Sequence, residues 1–273
     1  MGFDGNGLAI LIVLYGCELD ESSTLHSLVR LSSQLNGVKL IIWNNGPNNL
    51  NENVVLSFKS ELDFELIQTI ENISLAKIYN KFLSLNDCDN YVILDHDTSV
   101  NFDYLKAVVQ FNGTIAAPKI YSKGVLHSPR VVQLPLSSKR EVTAIGSGLV
   151  ISKSAVKHIS KCFGNVFDER FVLYGVDTTL FYRLASCYDL EEELFLLPGL
   201  AHSLSSDETE SISVNQFRLK EKSYDFGLRL RFYPSYDKII LLFVLIAKSI
   251  LKKSPLKVGY IFKAILSGKH YRK

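Results

Sequence analysis

The stretch Tyr91-Val-Ile-Leu-Asp-His-Asp-Thr98 delivers two carboxylates, Asp95 and Asp97, at the end of an apolar run. In a strand, side chains at i and i+2 leave the backbone on the same face. Two like charges sharing one spot are costly unless a cation lies between them. Hard carboxylate oxygens favour Mg²⁺ or Mn²⁺, ions that usually keep waters and take further oxygens from phosphates. The spacing therefore predicts a metal and diphosphate site at Asp95 and Asp97, with His96 aimed to the other side of the strand. The plainer alternative is a pair of solvated aspartates capping a turn, and the surrounding elements have to decide between the two.

Those elements alternate as a mostly parallel sheet with crossover helices requires. Residues 8–15 read as a strand, and residues 21–36 as a helix with Leu25, Leu28, Val29 and Leu35 on one face and Asn36-Gly37 as its stop. Strands follow at 38–43 and 64–69, a helix at 74–85, and a fourth strand at 91–94 that ends on Asp95. The second strand runs into the polar turn Asn44-Asn45-Gly46-Pro47-Asn48-Asn49, at the end where open α/β sheets bind ligands. A length of 273 residues with 47% hydrophobic composition suits one large α/β domain, with or without a short appendage, and excludes a disordered or fibrous chain.

Charge is distributed unevenly. Residues 218–273 hold 14 Lys and Arg against 3 Asp and Glu, whereas the preceding 217 hold 16 against 25. The basic part also carries the apolar run 239–247, followed by Lys248, Lys252 and Lys253. That run is too short to span a bilayer, which needs about 20 residues. The pattern predicts basic amphipathic helices lying on an anionic membrane, with a helical pair packed on the body as the alternative. Nucleic acid is not expected as a partner, because the aromatics do not interleave as a stacking platform would require. The expected division is a catalytic unit at 1–212 and a membrane-associating region at 213–273. Cys17, Cys88, Cys162 and Cys187 show no CxxC spacing and no Cys/His pairing in the sequence, which fits a reducing cytoplasm. The segment MGFDGNGLAILIVLYG reads as a first buried strand, not a signal peptide, so the expected location is the cytoplasm, peripheral on the inner face of the membrane.

Over residues 8–205 the chain resembles the bacterial members of glycosyltransferase family 2, in particular the rhamnosyltransferase-like ones. The likeness rests on ordered motifs: Leu14-Tyr15 before a helix, Ile41-Ile-Trp-Asn-Asn-Gly46, Asn72-Ile-Ser-Leu-Ala-Lys-Ile-Tyr-Asn80, Asp95-His96-Asp97, Ala144-Ile-Gly-Ser-Gly148, and Phe167-Asp-Glu through Val176-Asp177 to Arg183. Gly16, Asn44, Ser74 and Val176 stand where the family commonly has Asn, Asp, Gly and Glu.

The resemblance implies a GT-A fold, a Rossmann-like α/β sheet flanked by helices, and inverting transfer of a sugar such as rhamnose from a nucleotide diphosphate donor. It places Tyr15, Asn44, Asn45, Asn72, Asn80, Asp95 and His96 on the donor side, and Asp95, Asp97 and His202 at a Mg²⁺ or Mn²⁺ ion. Gly146, Ser147, Gly148, Asp168 and Glu169 fall on the acceptor side. Asp177 becomes the general base that takes the proton of the attacking hydroxyl, or else the N-cap of a helix at 178–188. The implied acceptor is a glycan on a polyprenyl diphosphate, and the implied product a surface polysaccharide such as O-antigen or capsule. Two other readings stay open: a haloacid-dehalogenase-like phosphatase using Asp95, and an inactive nucleotide-binding or membrane scaffold.

Overall fold

The computed structural model describes residues 7–122, 124–133, 140–202, 212–251 and 253–273, and the side chain of His202 lies outside this description. The first half runs β1 (Leu8–Leu14), α1 (Ser23–Arg30), β2 (Lys39–Asn44), α2 (Glu52–Lys59), β3 (Glu65–Gln68), α3 (Leu75–Leu85), β4 (Asn90–Asp95), β5 (Thr98–Ser99) and α4 (Phe102–Val109). There follow β6 (Ile115–Ser122), β7 (Val125–Ser128), β8 (Arg130–Gln133), β9 (Arg140–Thr143), β10 (Leu149–Ser152), α5 (Lys153–Phe163), α6 (Val176–Ala185), α7 (Leu190–Glu193) and β11 (Leu194–His202). Three helices close the chain: α8 (Ile212–Phe232), α9 (Tyr236–Ile250) and α10 (Val258–Ser267).

The main sheet has the order β3-β2-β1-β4-β10-β6-β11-β5, with β7 paired to β6 and a separate β8-β9 hairpin. The first four strands are parallel, β10 is antiparallel to both of its neighbours, and β11 is parallel to β6. All seven residues of β1 are buried because the strand is central and covered on both faces. Alternate side chains separate cleanly. Ala9, Leu11 and Val13 join the layer with α3, α5 and α6, while Leu8, Ile10, Ile12 and Leu14 join the layer with α1 and α4. The register sets Leu14 beside Asn44 and Val13 beside Asp95, so β1, β2 and β4 finish at one edge.

The region after residue 212 is not a uniform appendage. Tyr224 and Leu228 of α8 and Ala264 of α10 belong to the same buried cluster as β1, Trp43 and α6. α8 and α10 cross closely at Gly227, where a methyl group would sit 2.5 Å from the Ile261 carbonyl oxygen. These two helices are thus part of the body, so of the two stretches that the packed-pair alternative covers, 239–247 and 256–266, the second is packed. α9 differs: among its side chains only Leu245 is buried, and Ile239, Ile240, Leu241, Phe243, Val244 and Ile250 are exposed. Among the described residues no helix is long and apolar enough to cross a membrane.

Candidate active site

β4 ends at Asp95, and His96 and Asp97 form the turn into β5. Because the backbone turns there, the placement of the two carboxylates is set by the turn and not by strand alternation. The charge of Asp95 acts on Tyr79 and Asp177, and that of Asp97 acts on Cys17 just beyond β1.

Small hydroxyl side chains pin the turn. Thr24 Oγ1 donates to the carbonyls of Asp95, at 2.5 Å, and Thr98, at 2.8 Å, and accepts from Thr98 N at 2.9 Å. Ser22 Oγ donates to the His96 carbonyl at 2.7 Å. From the other side, Ser147 Oγ accepts from Asp95 N at 2.9 Å and lies 2.6 Å from Thr98 Oγ1. Ser22 also caps α1 by accepting from Leu25 N, so one polar cluster both starts that helix and clamps the carboxylate turn. None of these roles belongs to a chemical motif. The signal for them was Ser22-Ser23-Thr24 immediately before an apolar helical pattern.

One residue before Ser147, the N–H of Gly146 donates to Asp177 Oδ2 at 3.1 Å. A methyl group at position 146 would fall 2.6 Å from Asp177 Oδ1, so the approach requires glycine. The dipeptide Gly146-Ser147 therefore holds the Asp177 carboxylate with one residue and the Asp95 backbone with the next. α6 begins at Val176, two residues before the expected helix start, with Gly175 as N-cap at φ +82°. Asp177 accordingly lies inside the first turn and is not the cap. At Gly175 an added methyl would lie 2.0 Å from Asp225 Oδ1 of α8, so that glycine also permits a close approach.

Burial pushes the Asp177 carboxyl up to about 7, the charge of Asp95 adds to the rise, and the Gly146 N–H acts against it. Burial first, then Asp95 and Asp177, hold the Tyr79 hydroxyl well above its ordinary value. Asp95, Asp177 and Tyr79 therefore surround one space of concentrated negative potential.

The remaining residues named from sequence divide by what their side chains touch. Tyr15 is half exposed at the end of β1, open to a ligand at this edge. Asn44 is buried and bonds the Asn48 carbonyl at 2.7 Å, Gln68 Oε1 at 3.0 Å and Gly46 N at 3.0 Å. Asn45 is buried too, donating to Asn72 Oδ1 and the Ile73 carbonyl while accepting from Ile73 N and Thr69 Oγ1. Both asparagines build the wall behind the site, and their amides face protein groups. Asn72 sits in the left-handed region at φ 49°, and its carbonyl accepts from Arg272 at 2.8 Å. Asn80 ties α3 to the loop before α6, bonding Phe167 N, the Phe167 carbonyl and Glu169 Oε1.

On the acceptor side three of the residues named from sequence are engaged within the protein. Ser147 is fully buried and its hydroxyl is spent on Asp95 and Thr98. Gly148 is interior, donating to the Ile93 carbonyl and accepting from the Tyr104 hydroxyl. Asp168 is 2% exposed, with its carboxylate on Arg170 at 2.5 Å, Arg183 at 3.4 Å and the Tyr233 hydroxyl at 2.8 Å. Burial alone would raise Asp168, yet hydrogen bonds from Arg170 and Tyr233 and the charge of Arg183 hold it below the ordinary carboxylate range. Its work is to fix the loop that leads to Asp177. The metal-ligand expectation at His202 falls on a side chain outside the described residues, although its backbone pairs with Thr98 beside the turn.

The sheet order, the carboxylate turn at the end of β4 and the helices on both faces define a GT-A type glycosyltransferase fold. A solved structure with a similar fold is that of S. aureus TarS. It superimposes with a TM-score of 0.52 at 12% identity, over 82% of this chain and 44% of that one. At that identity the likeness shows the fold alone, and this chain spans less than half the length of TarS. No family model and no curated protein matches the sequence.

The raised Asp177 gives a stability signature. Its folded value of about 7 exceeds the unfolded value of about 3.9, so the favourable term is complete below pH 4 and lost as pH rises through 7. Metal-free protein is expected to lose up to ~4 kcal/mol of unfolding free energy from this group between pH 4 and 8. Asp177→Asn should remove most of that loss and raise stability at pH 8. Urea unfolding across this range checks it, and equal pH slopes in both proteins would count against the assignment.

Proposed function

We propose that this chain is an inverting glycosyltransferase that moves a sugar from a nucleotide diphosphate donor to a hydroxyl of a glycan, using a divalent cation at Asp95 and Asp97. The observation that supports it most is the joint hold of Gly146-Ser147 on Asp177 and on the Asp95 backbone, at the strand-end edge where α/β sheets take ligands. The donor set suits Mg²⁺ or Mn²⁺: it is carboxylate oxygen, and the Asp95 charge already raises two neighbouring acids. When bound, such an ion would neutralise the donor diphosphate and the charge that grows on it during departure.

The residues of the chain itself do the rest. Asp177 keeps Oδ2 on the Gly146 N–H and receives the proton of the acceptor hydroxyl at Oδ1. A base that titrates near neutrality combines adequate deprotonated population with adequate basicity. Tyr15 offers an exposed ring on the donor side, and Asn44, Asn45 and Asn72 hold the wall behind it. The expected division of effects is sharp. Asp97→Ala loses Mn²⁺-dependent nucleotide binding and turnover together, while Asp177→Asn keeps nucleotide binding and loses transfer at least ~100-fold. Isothermal titration with a nucleoside diphosphate and Mn²⁺, run beside a radiolabelled transfer assay, separates the two. Full transfer by Asp177→Asn would remove the base, and full Mn²⁺-dependent binding by Asp97→Ala would remove the ion site.

The proposed acceptor is a glycan on a polyprenyl diphosphate, with α9 resting on an anionic membrane surface, as in synthesis of a surface polysaccharide. The support is the exposed apolar face of α9, Phe243 at 65% and Ile240 at 48%, next to Lys248 and Lys253. The helix is about 22 Å long, short of a ~30 Å hydrocarbon core, so it would lie in the interface. The full chain is expected to sediment with phosphatidylglycerol vesicles at low salt and to be released as salt rises. Ile240→Ser with Phe243→Ser should abolish sedimentation while leaving the melting temperature unchanged, since neither side chain is buried. No sedimentation of the unaltered chain, or undiminished sedimentation of the variant, would contradict it.

A further inference from the structure

The four cysteines are scattered in sequence, but folding gathers two of them with a histidine. His158 and Cys162 lie four residues apart near the C-terminal end of α5, on one face of that helix. Cys187 follows α6, whose Leu180 and Leu184 share a buried cluster with Ala155 and Ile159 of α5. One ligand atom from each of His158, Cys162 and Cys187 lies within 4.8 Å of the other two. We propose that these three side chains bind a soft divalent metal ion, Zn²⁺ by the chemistry of the ligands, as a clamp between the end of α5 and the link after α6.

Geometry and charge both fit. Around a tetrahedral zinc with Zn–S of about 2.3 Å and Zn–N of about 2.0 Å, ligand atoms sit roughly 3.5–3.8 Å apart. The observed cluster needs only small side-chain rotations to close on that spacing. His158 Nδ1 is 3.0 Å from the Tyr188 hydroxyl, and Nδ1–H donating there leaves the lone pair on Nε2 for an ion. Such an outer hydrogen bond is the usual device that fixes the tautomer of a metal-binding histidine. The Tyr188 ring stands edge-on to the imidazole, with centroids 5.2 Å apart, and holds its plane. Two thiolates and a neutral imidazole balance a dication, and binding sends two thiol protons to solvent. Because both thiols must lose their protons to bind, affinity should rise with pH. His158 and Cys162 are exposed, which leaves the fourth position to water.

The site is separate from the carboxylate centre and does not depend on the function proposed above. Cys187 lies ten residues beyond Asp177, about 15 Å along α6 and its extension. An ion there would brace the far end of the helix whose first turn carries Asp177. It would use nitrogen and sulfur ligands, whereas Asp95 and Asp97 offer oxygen alone.

The test is titration of the reduced, metal-free full chain with Co²⁺ in the absence of air. The expected result is a near-ultraviolet thiolate-to-cobalt charge-transfer band with the visible bands of a tetrahedral ion, both lost on addition of Zn²⁺. Cys162→Ser and Cys187→Ser should each weaken Co²⁺ binding at least ~100-fold and His158→Gln at least ~10-fold, whereas Asp97→Ala should leave the bands intact. Zn²⁺ should raise the melting temperature of the unaltered chain and leave that of the Cys162→Ser/Cys187→Ser variant unmoved. Absence of the charge-transfer band, or its persistence in the double variant, overturns the site. A chain that yields only a Cys162–Cys187 disulfide in air and no thiolate–cobalt band when reduced holds a redox pair, and the metal proposal fails.

Discussion

Asp95 and Asp177 come from a strand end and a helix start that are distant in the chain, and they act on each other at a partly buried edge of the sheet. Burial is the larger cause of the rise of Asp177 toward neutrality, and repulsion between the like charges adds to it. A fold that keeps them together must hold each by something other than its charge. Asp95 is held through its backbone, by Ser147 and Thr24. Asp177 is held by the Gly146 N–H and by the rigid first turn of α6. The free energy stored in this arrangement is the kind that function extracts from stability, since each group left alone would prefer to be neutral or solvated.

Much of the remaining structure serves those two holds. The loop before α6 is locked by the buried Asp168 and Arg183 together with Arg170 and Tyr233, which draws together the loop, α6 and the end of α8. Asp225 of α8 closes on Gly175 and is matched by Arg229 in a two-point pair at 2.9 and 2.7 Å. The chain end then folds back: Arg272 reaches the Asn72 carbonyl behind the donor side, and Tyr271 bonds the buried Glu221 of α8 at 2.6 Å. The helices after residue 212 thus divide into two that buttress the site and one, α9, that stands away from it with its apolar face uncovered.

The parallel half of the fold was legible because buried central strands write themselves as unbroken apolar runs, and because Asp95-His96-Asp97 interrupts such a run at its end. The gathering of Gly146 and Asp177 beside it was legible through the order of motifs, not through spacing. Less was legible where a residue's role lies in its neighbours. Ser147 reads as a small residue for a sugar to approach, yet its hydroxyl is turned inward to Asp95. Asp168 reads as a carboxylate for a ligand, but Arg170 two residues on, Arg183 of α6 and Tyr233 just after α8 take it. The expected break at 212/213 follows the shift in charge and does not show that Tyr224, Leu228 and Ala264 complete the core. No Cys/His pairing was read from the sequence although His158 and Cys162 stand four residues apart, because Cys187 joins them only through the packing of α5 on α6.

The central claim is that a cation site at Asp95 adjoins a base at Asp177, and the most direct measurement is the titration of the Asp177 carboxyl by carbon NMR. In the metal-free chain the midpoint should lie near 7. With Mg²⁺ and a nucleoside diphosphate added, the charge of Asp95 is offset and the midpoint should fall by at least about one unit, since an opposite charge favours the ionised form. A midpoint that stays where it was, with nucleotide bound, would contradict the account.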